Sequence, residues 1–189
     1  MQKERKEWQE NQPNLDTPKM RFLDETGTNC AMTRLYGRAP TNERVDDYVP
    51  DVRFERTSLI VAVGLSGVSA PLMFKGTLNG DLFEFYVTNI LAPTLTPGEI
   101  ILMDSCSAHK VNGVLDAIYA AGATVIFIPR YSPDYNPIEL MFSKIKAILR
   151  KLKPRTHDEL VTATGEALKM ITYNDIVGWF EHQGYIVNN

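Results

Sequence analysis

The chain has 189 residues, a formal net charge of −3 and a hydrophobic fraction of 44%. That length predicts one domain with a real core, and no apolar stretch approaches the roughly 18–20 residues of a membrane span. Two cysteines are too few for a disulfide framework, Met1-Gln2-Lys3-Glu4-Arg5-Lys6-Glu7 has no apolar signal core, and the acidic balance argues against nucleic-acid binding by the whole surface.

Residues 1–18 are polar, with a lone Trp8, and read as a linker, an N-terminal tail or a fraying helix apart from the core. A strand is predicted over 20–25. The stretch 34–56 mixes Arg34, Arg38, Arg44, Arg53 and Arg56 with five acids and contains Gly37, Pro40 and Pro50, so it reads as an excursion. Strands at 57–65 and 68–75 follow, joined around Ser66-Gly67. A helix is predicted over 80–91, with Leu82, Phe83, Tyr86, Val87 and Ile90 at helical spacing and Pro93 and Pro97 ending it. Next comes a β-α-β pattern: a buried strand at Ile100–Met103, a helix at Lys110–Ala121, and a strand at Thr124–Ile128. The helix from Pro137 to about Leu152 has the clearest apolar stripe, Ile138, Met141, Phe142, Ile145, Ile148, Leu149 and Leu152. Thr156-His157-Asp158-Glu159 reads as a capping box opening another helix, and a last helix is predicted near Asn174. Antiparallel strands, then a parallel unit, then helices make a mixed α/β sheet with helices packed on it. The chain divides into a tail at 1–18, a domain at 19–155, and C-terminal helices at 156–189 packed on that domain.

Three acids stand out. Asp104 closes the apolar run Ile100–Met103, Glu139 follows in Asn136-Pro137-Ile138-Glu139 with 34 residues between the two, and Asp24 follows Met20–Leu23. Each has a structural reading of its own. Asp104 can be a loop or capping aspartate. Asn136 as N-cap, Pro137 at the first helical position and Glu139 at the third make a helix start that needs no catalysis. Asp24 has Glu25 beside it, and strand alternation puts only Asp24 on the Phe22 side. Together, however, two acids at strand ends and one in the first turn of a helix can converge on hard divalent cations, the arrangement phosphodiester chemistry uses. Six cations and no acid lie between Lys144 and Arg155, and Glu139, Ser143, Lys146 and Arg150 share one helix face suited to a phosphate backbone.

Other chemistries have less support. Cys106 and His109 supply two ligands where structural zinc needs four. There is no Gly-x-Ser-x-Gly elbow and no Gly-rich phosphate loop.

Phe22-Leu23-Asp24-Glu25-Thr26-Gly27, Tyr36-Gly37-Arg38-Ala39-Pro40, Met103-Asp104-Ser105-Cys106-Ser107-Ala108-His109-Lys110 and Pro129-Arg130-Tyr131-Ser132-Pro133-Asp134-Tyr135-Asn136-Pro137-Ile138-Glu139 resemble the catalytic domain of DDE transposases, on the bacterial insertion-sequence side of the mariner-like superfamily. The resemblance spans about residues 20–153. It implies a ribonuclease-H-like (retroviral-integrase-like) mixed five-stranded sheet with helices on both faces. It also implies catalytic, metal-binding acids at Asp24, Asp104 and Glu139, two Mg²⁺ ions (Mn²⁺ as substitute), and cut-and-paste transposition, typically into TA sites. Double-stranded DNA at transposon ends and target, and a second copy in a homodimer, are the implied partners; 34–56 can serve as a clamp. Arg38, His109, Lys110, Lys146 and Arg150 are the candidate DNA contacts. A bacterial, cytoplasmic and nucleoid-associated protein is implied.

Two departures qualify the resemblance. Ser105 stands where the family commonly has Asn. No helix-turn-helix region fits in the residues before Asp24, so the expectation is a fragment, the second product of a split reading frame, or a decayed copy, working with a separately encoded DNA-binding segment. The alternatives are a ribonuclease-H-type nuclease, or a catalytically silent DNA-binding or dimerisation remnant of a transposon.

Overall fold

The computed structural model describes residues 2–34, 36–51, 54–105 and 112–187. Its centre is one five-stranded sheet built from β1 (Met20–Thr28), β2 (Thr57–Gly64), β3 (Gly67–Lys75), β4 (Ile100–Met103) and β5 (Thr124–Phe127), in the order β3-β2-β1-β4-β5. The hairpin half, β1–β2–β3, is antiparallel, whereas β1–β4 and β4–β5 run parallel. β3 carries a bulge with Ala70 at φ 52°, whose carbonyl accepts a hydrogen bond from the buried Tyr86 hydroxyl at 2.7 Å.

Strand alternation sends neighbouring side chains to opposite faces, and helices cover both. Phe22, Leu59, Val61 and Leu102 point to the face packed by α4 (Ile138–Leu152), α5 (His157–Lys169) and α6 (Tyr173–His182). Leu23, Ile60, Ile101 and Met103 point the other way, against α2 (Gly80–Tyr86), the wider turn Val87–Leu91 that continues it, and α3 (Asn112–Ala120). β4 is therefore covered on both faces, which is why it is apolar throughout, whereas β5 at the sheet edge is only partly covered. The expected start of α3 at Lys110 lies outside the described residues.

α4 buries Ile138, Met141, Phe142, Ile145 and Leu149. Leu152, read from the sequence as part of that stripe, is exposed, because the helix ends there: Lys153 takes a left-handed φ of 53° and returns its N–H to the Leu149 carbonyl. The capping box at Thr156 and Glu159 is present, and a second one, Thr172 with Asp175, opens α6. Among the described residues, 29–56 contains neither helix nor strand, and Asp47 in it pairs with Lys153.

The N-terminal segment takes the helical form among the expected alternatives but is attached to the core. Residues Gln2–Asn11 form α1, Trp8 and Leu15 pack against the core, and Gln12 and Thr17 are buried. The segment's mean polarity conceals this, because few side chains make the attachment. Trp8 stacks on Tyr135 at 6.3 Å, Arg5 pairs with Asp134, and the Gln12 amide donates to the Gln183 carbonyl at 2.7 Å. No helix among the described residues is long and apolar enough to cross a membrane.

Candidate active site

The sheet register brings the first two acids together. β1 and β4 are parallel neighbours with Phe22 opposite Leu102; two residues further along stand Asp24, within β1, and Asp104, just past the end of β4, where continued alternation puts both on the face of those partners. That face is the one covered by α4, whose first turn carries Glu139. Asp24, Asp104 and Glu139 all line one cavity of about 480 Å³, walled by Ser105 and by the loop from Ile128 to Asn136. The location, beyond the carboxyl ends of parallel strands, is where open α/β sheets place ligands.

The electrostatics of the cavity favour a cation. Burial is the largest influence on Asp24 and pushes its carboxyl up to about 7; the negative charges of Glu25, Glu139 and Asp104 push the same way, against one backbone hydrogen bond from the Glu25 N–H. The neighbouring acids add negative charge to a site where burial already disfavours it, and a divalent ion would offset that charge. The donors are all hard oxygens, the kind Mg²⁺ and Mn²⁺ take. The residues present therefore fit such ions. Among the described residues no three His, Cys, Asp or Glu side chains form a ready-made shell around one ion. Carboxylates that repel one another stand apart without a cation, and three acids shared between two ions need not all meet at one.

Asn136 does not cap α4 as its sequence position suggested. Its side-chain amide donates to Asp24 Oδ2 at 2.8 Å, while its backbone carbonyl accepts from the Glu139 N–H at 3.1 Å. Local sequence could not reveal this, because the partner lies 112 residues away. Two other wall residues also went unread: Arg130, whose Nε donates to Ser105 Oγ at 3.1 Å, and Tyr131, 86% exposed with φ 55°. A positive φ is uncommon for so bulky a residue and marks local strain at the cavity rim.

The expected DNA contacts divide. Lys146 and Arg150 extend from Glu139 along the partly exposed face of α4. Arg38 lies elsewhere, in a cavity with Arg34, Tyr36, Lys151 and Lys153 near the C-terminal end of α4. Of the basic cluster, Lys144 pairs with Asp175, Lys153 with Asp47, and Arg155 donates to the carbonyls of Cys30 and Met32, so these three have internal roles. Cys106, His109 and Lys110 lie outside the described residues.

No curated protein matches the chain by sequence. Among solved structures, the Mos1 transposase paired-end complex with the left transposon end aligns at a TM-score of 0.74 and 16% identity, covering 96% of this chain and 58% of that one. The Mos1 strand transfer complex gives 0.74 at 17% identity, covering 96% and 57%. The catalytic domain of Mos1 mariner transposase gives 0.68 at 16%, covering 96% and 87%. The chain thus spans less than two thirds of the longer Mos1 chains, and the likeness is one of fold. The family model described as DDE superfamily endonuclease matches residues 19–161. That match takes in the five strands, the three acids and all of α4, and the chain belongs to the DDE superfamily endonucleases.

Proposed function

We propose that the chain is the catalytic core of a cut-and-paste DNA transposase, hydrolysing phosphodiesters at transposon ends and transferring the freed strand to target DNA. The observation that carries the reading is the shared cavity of Asp24, Asp104 and Glu139, two of them set side by side by the β1–β4 register. Membership of the endonuclease family supports it, as does the likeness in fold to Mos1 complexes that contain transposon ends.

In this reading Asp24, Asp104 and Glu139 are the catalytic acids and hold two Mg²⁺ or Mn²⁺ ions through carboxylate oxygens. The chemistry that ions bound there would supply is Lewis-acid stabilisation of the attacking and leaving oxygens of an in-line displacement. Glu139 stands in the first turn of α4, beside the helix N-terminus, a place that suits an acidic side chain. Lys146 and Arg150 neutralise backbone phosphates running along α4 without reading sequence. Arg38 would reach the DNA outside the acid cavity, as part of the clamp at 34–56. Double-stranded DNA and a second copy of the chain are the partners, in a nucleoid-associated bacterial setting.

The test is nicking of duplex DNA carrying the element's terminal repeat. The wild type should nick with Mg²⁺ or Mn²⁺ and not with a chelator, and Asp104→Asn should lose the activity. Equal nicking by that variant overturns the acid assignment. Preference for an RNA–DNA hybrid over duplex DNA overturns the transposase reading in favour of a ribonuclease-H-type nuclease.

A further inference from the structure

The helix that the sequence presented as a tail is joined to the acid cavity by an unbroken set of contacts. Arg5 on α1 makes a two-pronged pair with Asp134, Nη1 to Oδ1 at 2.9 Å and Nη2 to Oδ2 at 2.6 Å, and donates from Nη1 to Ser132 Oγ at 2.7 Å. Its guanidinium also lies 4.7 Å from the centre of the Tyr135 ring, against which Trp8 stacks. Ser132 is buried, and its hydroxyl donates to the Arg130 carbonyl. The turn from Ser132 to Asn136 is closed by Tyr135 N–H to the Ser132 carbonyl at 3.0 Å and Asn136 N–H to the Pro133 carbonyl at 3.1 Å. The Tyr185 hydroxyl also donates to the Tyr135 carbonyl at 2.6 Å, so the turn is held by α1 and by the C-terminal segment.

At its end stands Asn136, 5% exposed, with Nδ2 on Asp24 Oδ2. The ionised carboxylate, the form that binds a metal ion, only accepts, and the amide nitrogen is the group turned to it. The price is an Oδ1 buried with no hydrogen-bond partner among the described residues. A side chain kept for helix capping would instead turn that oxygen to the α4 N-terminus. Leaving a buried acceptor unmade costs about 1–3 kcal/mol, so the orientation serves Asp24 and not local packing.

We infer that Asn136 is a positioning residue for the acid site, and that α1, through Arg5, clamps the turn that aims it. Asn136 holds one Asp24 oxygen by its amide while the Glu25 N–H holds the other at 2.8 Å, so the carboxylate plane is fixed from both sides. The same turn passes its last carbonyl to the Glu139 N–H, so the clamp bears on two of the three acids. Outer partners of this kind orient the groups that bind metal, and losing one typically weakens binding about 10–100-fold. The inference rests on Asp24 as a metal-binding group.

The experiment measures Mn²⁺ affinity without DNA, by the electron-paramagnetic signal of the free ion, beside thermal melting of each variant in chelator. Asp24→Asn serves as the reference: if it binds Mn²⁺ like the wild type, the acid-site reading itself fails. With that reference weakened, Asn136→Ala should bind Mn²⁺ at least about tenfold more weakly. Arg5→Ala should weaken it severalfold, and the double variant should lose less than the product of the two single losses, since both act through one turn. A merely structural role would lower the melting midpoint and leave the affinity of the folded protein alone. Unchanged affinity in Asn136→Ala, beside a weakened Asp24→Asn, overturns the positioning role. Loss in Asn136→Ala without any in Arg5→Ala overturns the clamp. Should Asn136→Ala fail to fold, Arg5→Ala at the surface decides alone, with unchanged affinity refuting the inference.

Discussion

Removing the charge of Asp24 should make the metal-free protein more stable at neutral and alkaline pH while destroying its function. Asp24 releases its proton at about 7 in the folded chain, against 3.8 for an ordinary aspartate. Between those values the folded state keeps a proton that the unfolded state has already lost. Stability therefore falls as pH rises through that window, and the full penalty, about 4 kcal/mol as an upper figure, stands above about 7. Asp24→Asn removes that penalty. It also forfeits one of two hydrogen bonds, because an amide has a single acceptor oxygen where the carboxylate takes both the Glu25 N–H and the Asn136 amide. With that loss set at about 1.5–2 kcal/mol, a net gain of about 2 kcal/mol remains at pH 8. For a chain of this size the gain is a rise of roughly 4–8 °C in melting temperature. Near pH 4 the wild type is protonated and pays no penalty, so the variant should be the less stable of the two, by about 1 kcal/mol. Thermal or urea melts of both proteins in chelator, from pH 4 to pH 8.5, provide the measurement. A stability difference that does not change across that range refutes the argument, because it would mean that Asp24 titrates normally. Adding Mn²⁺ at pH 8 should raise the midpoint of the wild type and leave that of Asp24→Asn nearly unmoved.

Three further outcomes can be checked. Asp175 is held down to about 2, first by the Lys144 ammonium and then by the Thr172 N–H and hydroxyl, so the stability it contributes is complete above 3.8 and is lost as pH falls towards 2; acid melts of wild type and Asp175→Asn should converge there. Phe22→Ala should cost about 3–5 kcal/mol in urea unfolding, since the ring is fully buried and packs edge-on to Phe180 at 5.3 Å; a loss under 1 kcal/mol would mean the site collapses to fill the space. Replacing both Lys146 and Arg150 with alanine should reduce the logarithmic salt slope of duplex DNA binding by about 2, uniformly across sequences, in titrations over a range of NaCl concentrations. An unchanged slope would place the DNA off this face of α4.

The elements most legible in the sequence were those whose signals are local. β4 is an apolar run bounded by Asp104, α4 announces itself through a continuous stripe, and the Thr156–Glu159 box is a four-residue pattern that closes on itself. Asp24 was placed on the correct face by alternation alone, because a strand has a period of two. α1 was misjudged for the opposite reason: its attachment depends on Arg5 and Trp8 meeting Asp134 and Tyr135, residues nearly 130 positions away, while the rest of the helix is solvated. Asn136 offered a plausible local task, and the task it performs needs a partner on another strand. The basic cluster at 144–155 was overcounted, since charge by itself does not distinguish Lys146 on an open face from Lys144 tied to Asp175.

Periodicity was enough to specify a mixed sheet flanked by helices, and the motif segments around Asp24, Asp104 and Glu139 were enough to specify the family, because both are written in short-range pattern. What awaited the folded chain was the surroundings of those acids: which oxygen of Asp24 is held and by what, how far burial resists its charge, which cations remain open to DNA, and that the N-terminal helix grips the turn beneath the site. These depend on distances between residues remote in sequence and on the burial of Asp24, which only the packing of α4 and the 128–136 loop against the sheet brings about.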